Sequence, residues 1–303
     1  MYEKISYGGW PNCIRLYNDR VELIVTTDVG PRIVKFGFIN GQDFLYLVPS
    51  HRGTAGGDEW RIYGGHRLWL APEAIPFSYS PDNDMVQYFA CDNNVTLIQH
   101  RESVTGIVKE MDLTLSRDSA ELTVVHRVTN QNERDVQLSV WPITMLSPGG
   151  TAILPQEPFG EGDAYLLPAR SLALWHYTKM NDPRWTWGEK YICAKQDALY
   201  TSEQKIGVTN RQGWMAYCLN NEVLIKKISF DPSAVYPDYN CNNEIYINGN
   251  YLEIETLGPL STLAPGETIE HTEHWLLAEA TLPGTEQSID DILLPLVRSF
   301  VIQ

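Results

Sequence analysis

Apolar residues in this chain recur at every second position, in short runs bounded by turn formers, and that pattern restricts the fold to sheets. Val21, Leu23 and Val25 alternate with other residues before the turn residues Gly30-Pro31. The run 33–38 follows and stops at Asn40-Gly41. Leu113 and Leu115 alternate, as do Leu122, Val124, His126 and Val128, and then Val136, Leu138 and Val140. Successive side chains of a strand point to opposite faces, so this period marks antiparallel sheets with one buried face. Further strands are expected over 172–177, 214–219, 223–230, 244–247, 251–256 and 269–278. The expected total is roughly 15 to 20 strands.

One helix is expected, at the C-terminus. Ser288 is placed to cap it, Asp291 suits its positive end, and Ile292, Leu293, Leu296, Val297 and Phe300 recur at helical spacing. Pro295 should bend or shorten it, and the tail should pack on a sheet edge or plug one end of the sandwich. No linker or repeat divides the 303 residues, so one all-β domain over 1–303 is expected.

The formal net charge is −15, with no basic cluster to release counterions, which argues against nucleic acid and anionic membranes as partners. It also favours a neutral ligand over a polyanionic polymer. No run of about 18 apolar residues suggests a membrane span, and the N-terminal residues lack a secretory pattern. Five cysteines stand apart, at 13, 91, 193, 218 and 241, without a CxxC pair. A cytoplasmic setting with unpaired thiols is expected, and no zinc ribbon.

Chemistry concentrates in Gly64-Gly65-His66-Arg67-Leu68-Trp69-Leu70-Ala71-Pro72-Glu73. The glycines free the backbone, while imidazole, guanidinium, indole and carboxylate suit a polar ring. A sugar offers an apolar CH face to an aromatic ring and hydroxyls to Arg and Glu. His66 is the expected proton donor, Arg67 and Arg61 are oxygen clamps, Trp69 is a stacking plate, and Glu73 orients hydroxyls. A second cluster, Glu253 and Glu255, shares one face of a strand, where a desolvated pair would keep a proton on one member. His176 and Arg184, in the aromatic stretch Trp175-His176-Tyr177 and Arg184-Trp185-Thr186-Trp187, are further saccharide contacts, and Tyr236-Pro237-Asp238-Tyr239-Asn240 is a weaker candidate of the same kind. His271 and His274 fall on opposite faces of a strand and cannot chelate together, so no metal is expected there. No nucleotide or GxSxG motif occurs, and no cofactor is expected.

The residues Leu252-Glu253, Pro259-Leu260, Leu263-Ala264-Pro265-Gly266-Glu267 and His274-Trp275, with the Gly-Gly-His-Arg-Leu-Trp segment, resemble the galactose mutarotase-like (aldose 1-epimerase) superfamily. The likeness covers most of the chain. It implies a large antiparallel β-supersandwich that binds a small-molecule or oligosaccharide ligand in an open cleft. It also implies that Glu253 is the base that takes the proton from the sugar C1 hydroxyl, and that Arg67 or Arg61 holds hydroxyls. The superfamily's acid is a histidine, and Trp141 stands at the matching position, where an indole has no acidic proton to give. His66 or His176 would then have to supply the acid, with Trp141 as an apolar wall. The leading expectation is a sugar epimerase or mutarotase working at the anomeric carbon. The alternatives are a carbohydrate-binding protein without turnover, and a glycosidase or lyase using Glu73 and Glu253.

Overall fold

In the computed structural model, which describes residues 1–282 and 284–300, two antiparallel sheets of 11 and 10 strands lie face to face. The larger sheet runs in the order Tyr2–Tyr7, Trp10–Tyr17, Val21–Thr26, Arg32–Phe38, His66–Ala71, Val136–Leu146, Leu252–Thr256, Asn243–Ile247, Gln204–Val208 and Leu172–Leu174. Ser261–Leu263 pairs beside this path with Val136–Leu146. The second sheet places Thr268–Glu279 between Glu222–Lys227 and Glu121–Asn130.

Alternation explains the layering. On Glu121–Asn130 the residues Leu122, Val124, His126, Val128 and Asn130 are buried while their neighbours are half-buried. Leu16, Leu23, Phe36, Leu146, Leu252 and Ile254 of the first sheet meet Leu122, Val124, Tyr217, Leu224 and Trp275 of the second in one core. Burying a Leu or Ile side chain contributes about 1.5–3 kcal/mol, so this interface dominates the stability.

The strand His66–Ala71 is buried at all six positions, because both of its faces are covered. Leu68 and Leu70 join the inter-sheet core with Ile107, Met111 and Leu138. Trp69 and Ala71 face outward and pack with Trp141, Ile143 and Leu257. The two glycines that launch this strand are obligatory. Gly64 (φ +92°) and Gly65 (φ +72°) adopt the left-handed region, and a Cβ would lie 2.2 Å from the Tyr46 carbonyl oxygen and 2.1 Å from that of Ile33.

The C-terminal segment differs in two details from expectation. Thr285, not Ser288, caps it: Thr285 accepts from the Ser288 amide and the Ser288 hydroxyl answers the Thr285 amide. The segment also lies across the outer face of the second sheet, where Ile289, Leu293, Val297 and Phe300 cover Ile153, Trp214, Val223 and Ile225. A π-helical turn at Ile289–Leu293 precedes Leu294–Ser299, widening the helix where Pro295 brings a ring and no N–H. Among the described residues no helix is long and apolar enough to cross a membrane.

Candidate functional site

The outward face of the larger sheet carries a cleft of about 360 Å³, within the range of ligand pockets. Five adjacent strands build its floor. His66–Ala71 contributes Arg67 and Trp69, Val136–Leu146 contributes Trp141 and Ile143, and Leu252–Thr256 contributes Glu253 and Glu255. Asn243–Ile247 adds Tyr246, and Gln204–Val208 adds Lys205. Trp60, Glu73, Tyr79, Trp175, Tyr177, Glu203 and Tyr251 form the walls.

The floor is a row of charges paired across the strands. Arg67 Nη1 donates to Glu253 Oε1 at 2.9 Å, bridging over the strand between them. Glu255 Oε2 accepts from Trp141 Nε1 at 2.8 Å and from Lys205 Nζ at 2.9 Å. Lys205 Nζ also lies 2.7 Å from Glu244 Oε2, a carboxylate buried beneath it. The Arg67 guanidinium sits 4.8 Å from the Trp69 ring centre, and Lys205 Nζ lies 4.6 Å from Trp141 and 4.8 Å from Trp175. Trp60, Trp69, Tyr79 and Trp141 meet edge to face at 5.0 to 5.5 Å.

Burial sets the protonation of these groups. It pushes the Glu253 carboxyl above the usual carboxylate range against the pull of Arg67, and the nearby Glu255 adds to the rise. Glu244 is driven well above its ordinary value by burial, with Lys205 opposing and Glu255 reinforcing. Burial alone would discharge Lys205, but Glu244 and Glu255 outweigh it and hold the ammonium charged.

Arg67, Trp69, Glu73, Trp141, Glu253 and Glu255 therefore meet at one cleft, and four other expected site residues do not. His66 is the main correction. It precedes Arg67 on the same strand, so its side chain points the opposite way, into the fully buried space between the sheets. Arg61 spends its guanidinium on the Gly56 carbonyl and the Tyr63 hydroxyl. His176 is exposed between two cleft residues without lining the cleft. Arg184 is buried against Asp182, the Ser202 carbonyl and the Tyr200 carbonyl, where it clasps loops. Trp185 belongs to the inter-sheet core and Tyr236 stacks on Phe230, so neither of those aromatic candidates reaches the cleft.

Sequence reading missed Lys205, Glu244, Tyr246 and Glu203. The one available signal was the placement of Lys205 and Glu244 directly before the short apolar runs Ile206-Gly207-Val208 and Ile245-Tyr246-Ile247.

The His66 side chain joins a second polar cluster, in the core. Lys226 Nζ donates to Thr144 Oγ1 (2.7 Å), whose hydroxyl faces His66 Nδ1 (2.9 Å). His66 Nε2 meets His126 Nε2 at 2.8 Å, and His126 Nδ1 faces the His271 carbonyl at 3.0 Å. Glu273 takes Lys226 at 2.6 Å, Thr256 at 2.6 Å and the Trp275 indole at 2.8 Å. One set of protons satisfies this whole chain: Lys226 to Thr144, Thr144 to His66, His66 to His126, and His126 to the carbonyl. His66, His126 and Glu273 resemble a metal ligand set, with ligand atoms within 4.8 Å of one another. However, two imidazoles on one tetrahedral zinc ion stand about 3.3 Å apart, and here a lysine already neutralises the carboxylate. The donor set fits a hydrogen-bonded core better than an ion.

The sequence matches no family model and no curated protein. Solved structures match the whole architecture. A putative aldose 1-epimerase from Klebsiella pneumoniae aligns over 98% of this chain and 86% of its own, at 8% identity and a TM-score of 0.61. The chain has the galactose mutarotase-like fold. Other mutarotase-like neighbours agree. A galactose mutarotase-like protein from Lactobacillus casei covers 88% of this chain and 100% of its own (10% identity, TM-score 0.58). A putative aldose 1-epimerase from Escherichia coli K12 covers 88% and 98% (14% identity, TM-score 0.56). Within this mutarotase-like fold, the cleft lies on the outer face of the larger sheet.

Proposed function

We propose that the chain binds a saccharide in this cleft and exchanges its anomeric configuration by acid–base chemistry, with Glu253 as the base. The observation that carries the reading is Glu253 itself: a buried carboxylate at the floor of an aromatic cleft, fixed by Arg67. A raised carboxyl is a stronger base than a solvated one. The surrounding indoles and phenols offer flat apolar faces, and the carboxylates offer acceptors for hydroxyl groups. Arg67 and Lys205 are the cations lining the cleft, and both are committed to its own acids. An uncharged sugar suits such a site better than a phosphorylated one.

A second reading is saccharide binding without turnover. It is favoured by Trp141, which occupies the floor where the resemblance calls for an acid, and by the lack of an imidazole among the described residues that line the cleft. One experiment separates the two: NMR measurement of anomeric exchange over a panel of free sugars, beside sugar-induced thermal shifts. Exchange by the wild type that falls at least about 10²-fold in Glu253→Gln, with binding retained, supports the enzyme. Thermal shifts without exchange leave the binding protein, and neither effect with any sugar removes both readings.

A further inference from the structure

Opening a sugar ring at its anomeric carbon requires a base at the C1 hydroxyl and a proton for the ring oxygen. The base has an assignment above, and the inference that follows rests on that reading. The proton donor has to be sought among the groups that touch the cleft. Arg67 is bound to Glu253 and does not release protons. The phenols of Tyr79 and Tyr246 already donate to Glu73 and Glu203. Tyr177 and Tyr251 would have to become phenolates in a cleft lined by four carboxylates. Burial, with Glu253 adding, pushes the Tyr251 hydroxyl up to about 12.

Lys205 differs in charge type and in placement. Its ammonium has three hydrogens; one is donated to Glu255 (2.9 Å), and Glu244 Oε2 lies 2.7 Å away as an ion-pair contact, so at most two are taken up. The third is uncommitted, on a nitrogen held against the faces of Trp141 and Trp175. Lys205 also stands in register with the base. It pairs with Tyr246, and Tyr246 pairs with Glu253, so the three form one row across adjacent strands. Two strand spacings, about 9.6 Å, separate the backbones at the ends of that row, and the Lys205, Tyr246 and Glu253 side chains all line the one cleft.

We infer that Lys205 gives the ring oxygen its proton, and that Glu244 behind it restores the proton to Lys205. Glu253 removes the proton of the C1 hydroxyl, the C1–O carbonyl forms, and the bond from C1 to the ring oxygen breaks. Its electron pair becomes an O–H bond with a hydrogen from Lys205 Nζ. The leaving alkoxide is a far stronger base than an amine, so this transfer is downhill. Glu244, which carries a proton while Glu255 supplies the negative charge beside the ammonium, then passes that proton to the neutral amine. Closure on the other face of the carbonyl runs the same steps backward and returns every proton, so no external reagent is needed. Glu244 is suited to carry that proton, because it is buried, shares its one cation with Glu255, and leaves both carboxyl oxygens without a hydrogen-bond partner among the described residues.

The test compares anomeric exchange in the wild type, Lys205→Arg and the double variant Lys205→Met/Glu244→Gln. The arginine keeps the charge between the carboxylates but does not give up a proton. The double variant removes acid and reserve together and leaves the Trp141 indole as the donor to Glu255, so Lys205→Arg, which keeps a cation beside Glu255, is the control for that loss. The expected result is a fall in kcat of about 10²–10⁴-fold in both, with KM within a few-fold of wild type. Exchange within threefold of wild type in either variant, or a loss confined to KM, overturns the role of Lys205 and leaves the proposed function standing. A wild type that exchanges no sugar removes the anomeric reading and this inference with it.

Discussion

His66 and Arg67 are consecutive residues of one strand, and their side chains serve opposite faces of the sheet. The His66 imidazole meets His126 at 2.8 Å in the core, while the Arg67 guanidinium meets Glu253 at 2.9 Å in the cleft. The strand that shapes the cleft is thereby tied to the second sheet from behind. Thr144 and Thr256 make the same kind of tie from the two other strands that carry Trp141, Glu253 and Glu255.

Arg67 opposes the rise of the Glu253 carboxyl, so removing it has a signed effect on pH dependence. In Arg67→Gln the Glu253 carboxyl rises further, and a higher pH is needed to keep it in the basic form. The acid limb of the kcat/KM profile for anomeric exchange should move to higher pH. An unmoved limb would show that Glu253 is not the titrating base.

The core imidazoles make the fold acid-sensitive. Burial holds His126 at about 4 and His271 at about 3, below the ordinary 6.5, and keeps His66 well below it too. Between those values and 6.5 the unfolded chain binds protons that the folded chain refuses, so stability falls as the pH is lowered. Glu273, held well below the carboxylate range by Lys226 and the imidazoles despite its burial, acts in the same direction below the unfolded carboxyl value of 4.5. The raised Glu244 and Glu253 carboxyls act the other way in this window, so the imidazole contribution is read by difference: from pH 6.5 to pH 4 the midpoint of thermal unfolding should fall further in the wild type than in His126→Gln, and parallel profiles would contradict the buried neutral assignment.

Lys226 and Glu273 are a fully buried ion pair at 2.6 Å. Removing one partner strands a charge in the core, so Glu273→Gln should cost about 3–5 kcal/mol in urea unfolding. Lys226→Met combined with Glu273→Gln should recover a large part of that loss, because no bare charge is left. Additive losses in the double variant would show that the pair is not coupled.

Both cleft cations are already paired, so a sugar phosphate must compete with Glu253 or Glu255 for a partner. Isothermal titration should show a phosphorylated hexose binding at least about tenfold more weakly than the parent sugar, a difference of roughly 1.4 kcal/mol. Equal or tighter binding of the phosphate would mean that a cation is released on binding.

Local pattern was enough to call the sheets, because alternation is written residue by residue. The antiparallel strands, the C-terminal helical segment, the shared face of Glu253 and Glu255 and the turn-forming role of Gly64-Gly65 all follow from neighbours in the chain. Which face of a buried strand meets the core and which meets the cleft does not. His66–Ala71 is apolar or buried on both sides, so its pattern has no polar stripe to mark the outside, and His66 and Arg67 could be exchanged without changing the alternation. That choice was made by packing: Leu68 and Leu70 fill the space opposite Met111 and Leu138, and His66 follows them inward. Lys205 and Glu244 lie 39 positions apart and meet only because their strands are adjacent in the sheet. Strand order is a long-range property of the tertiary structure, and it alone brought these charges to the floor of the cleft.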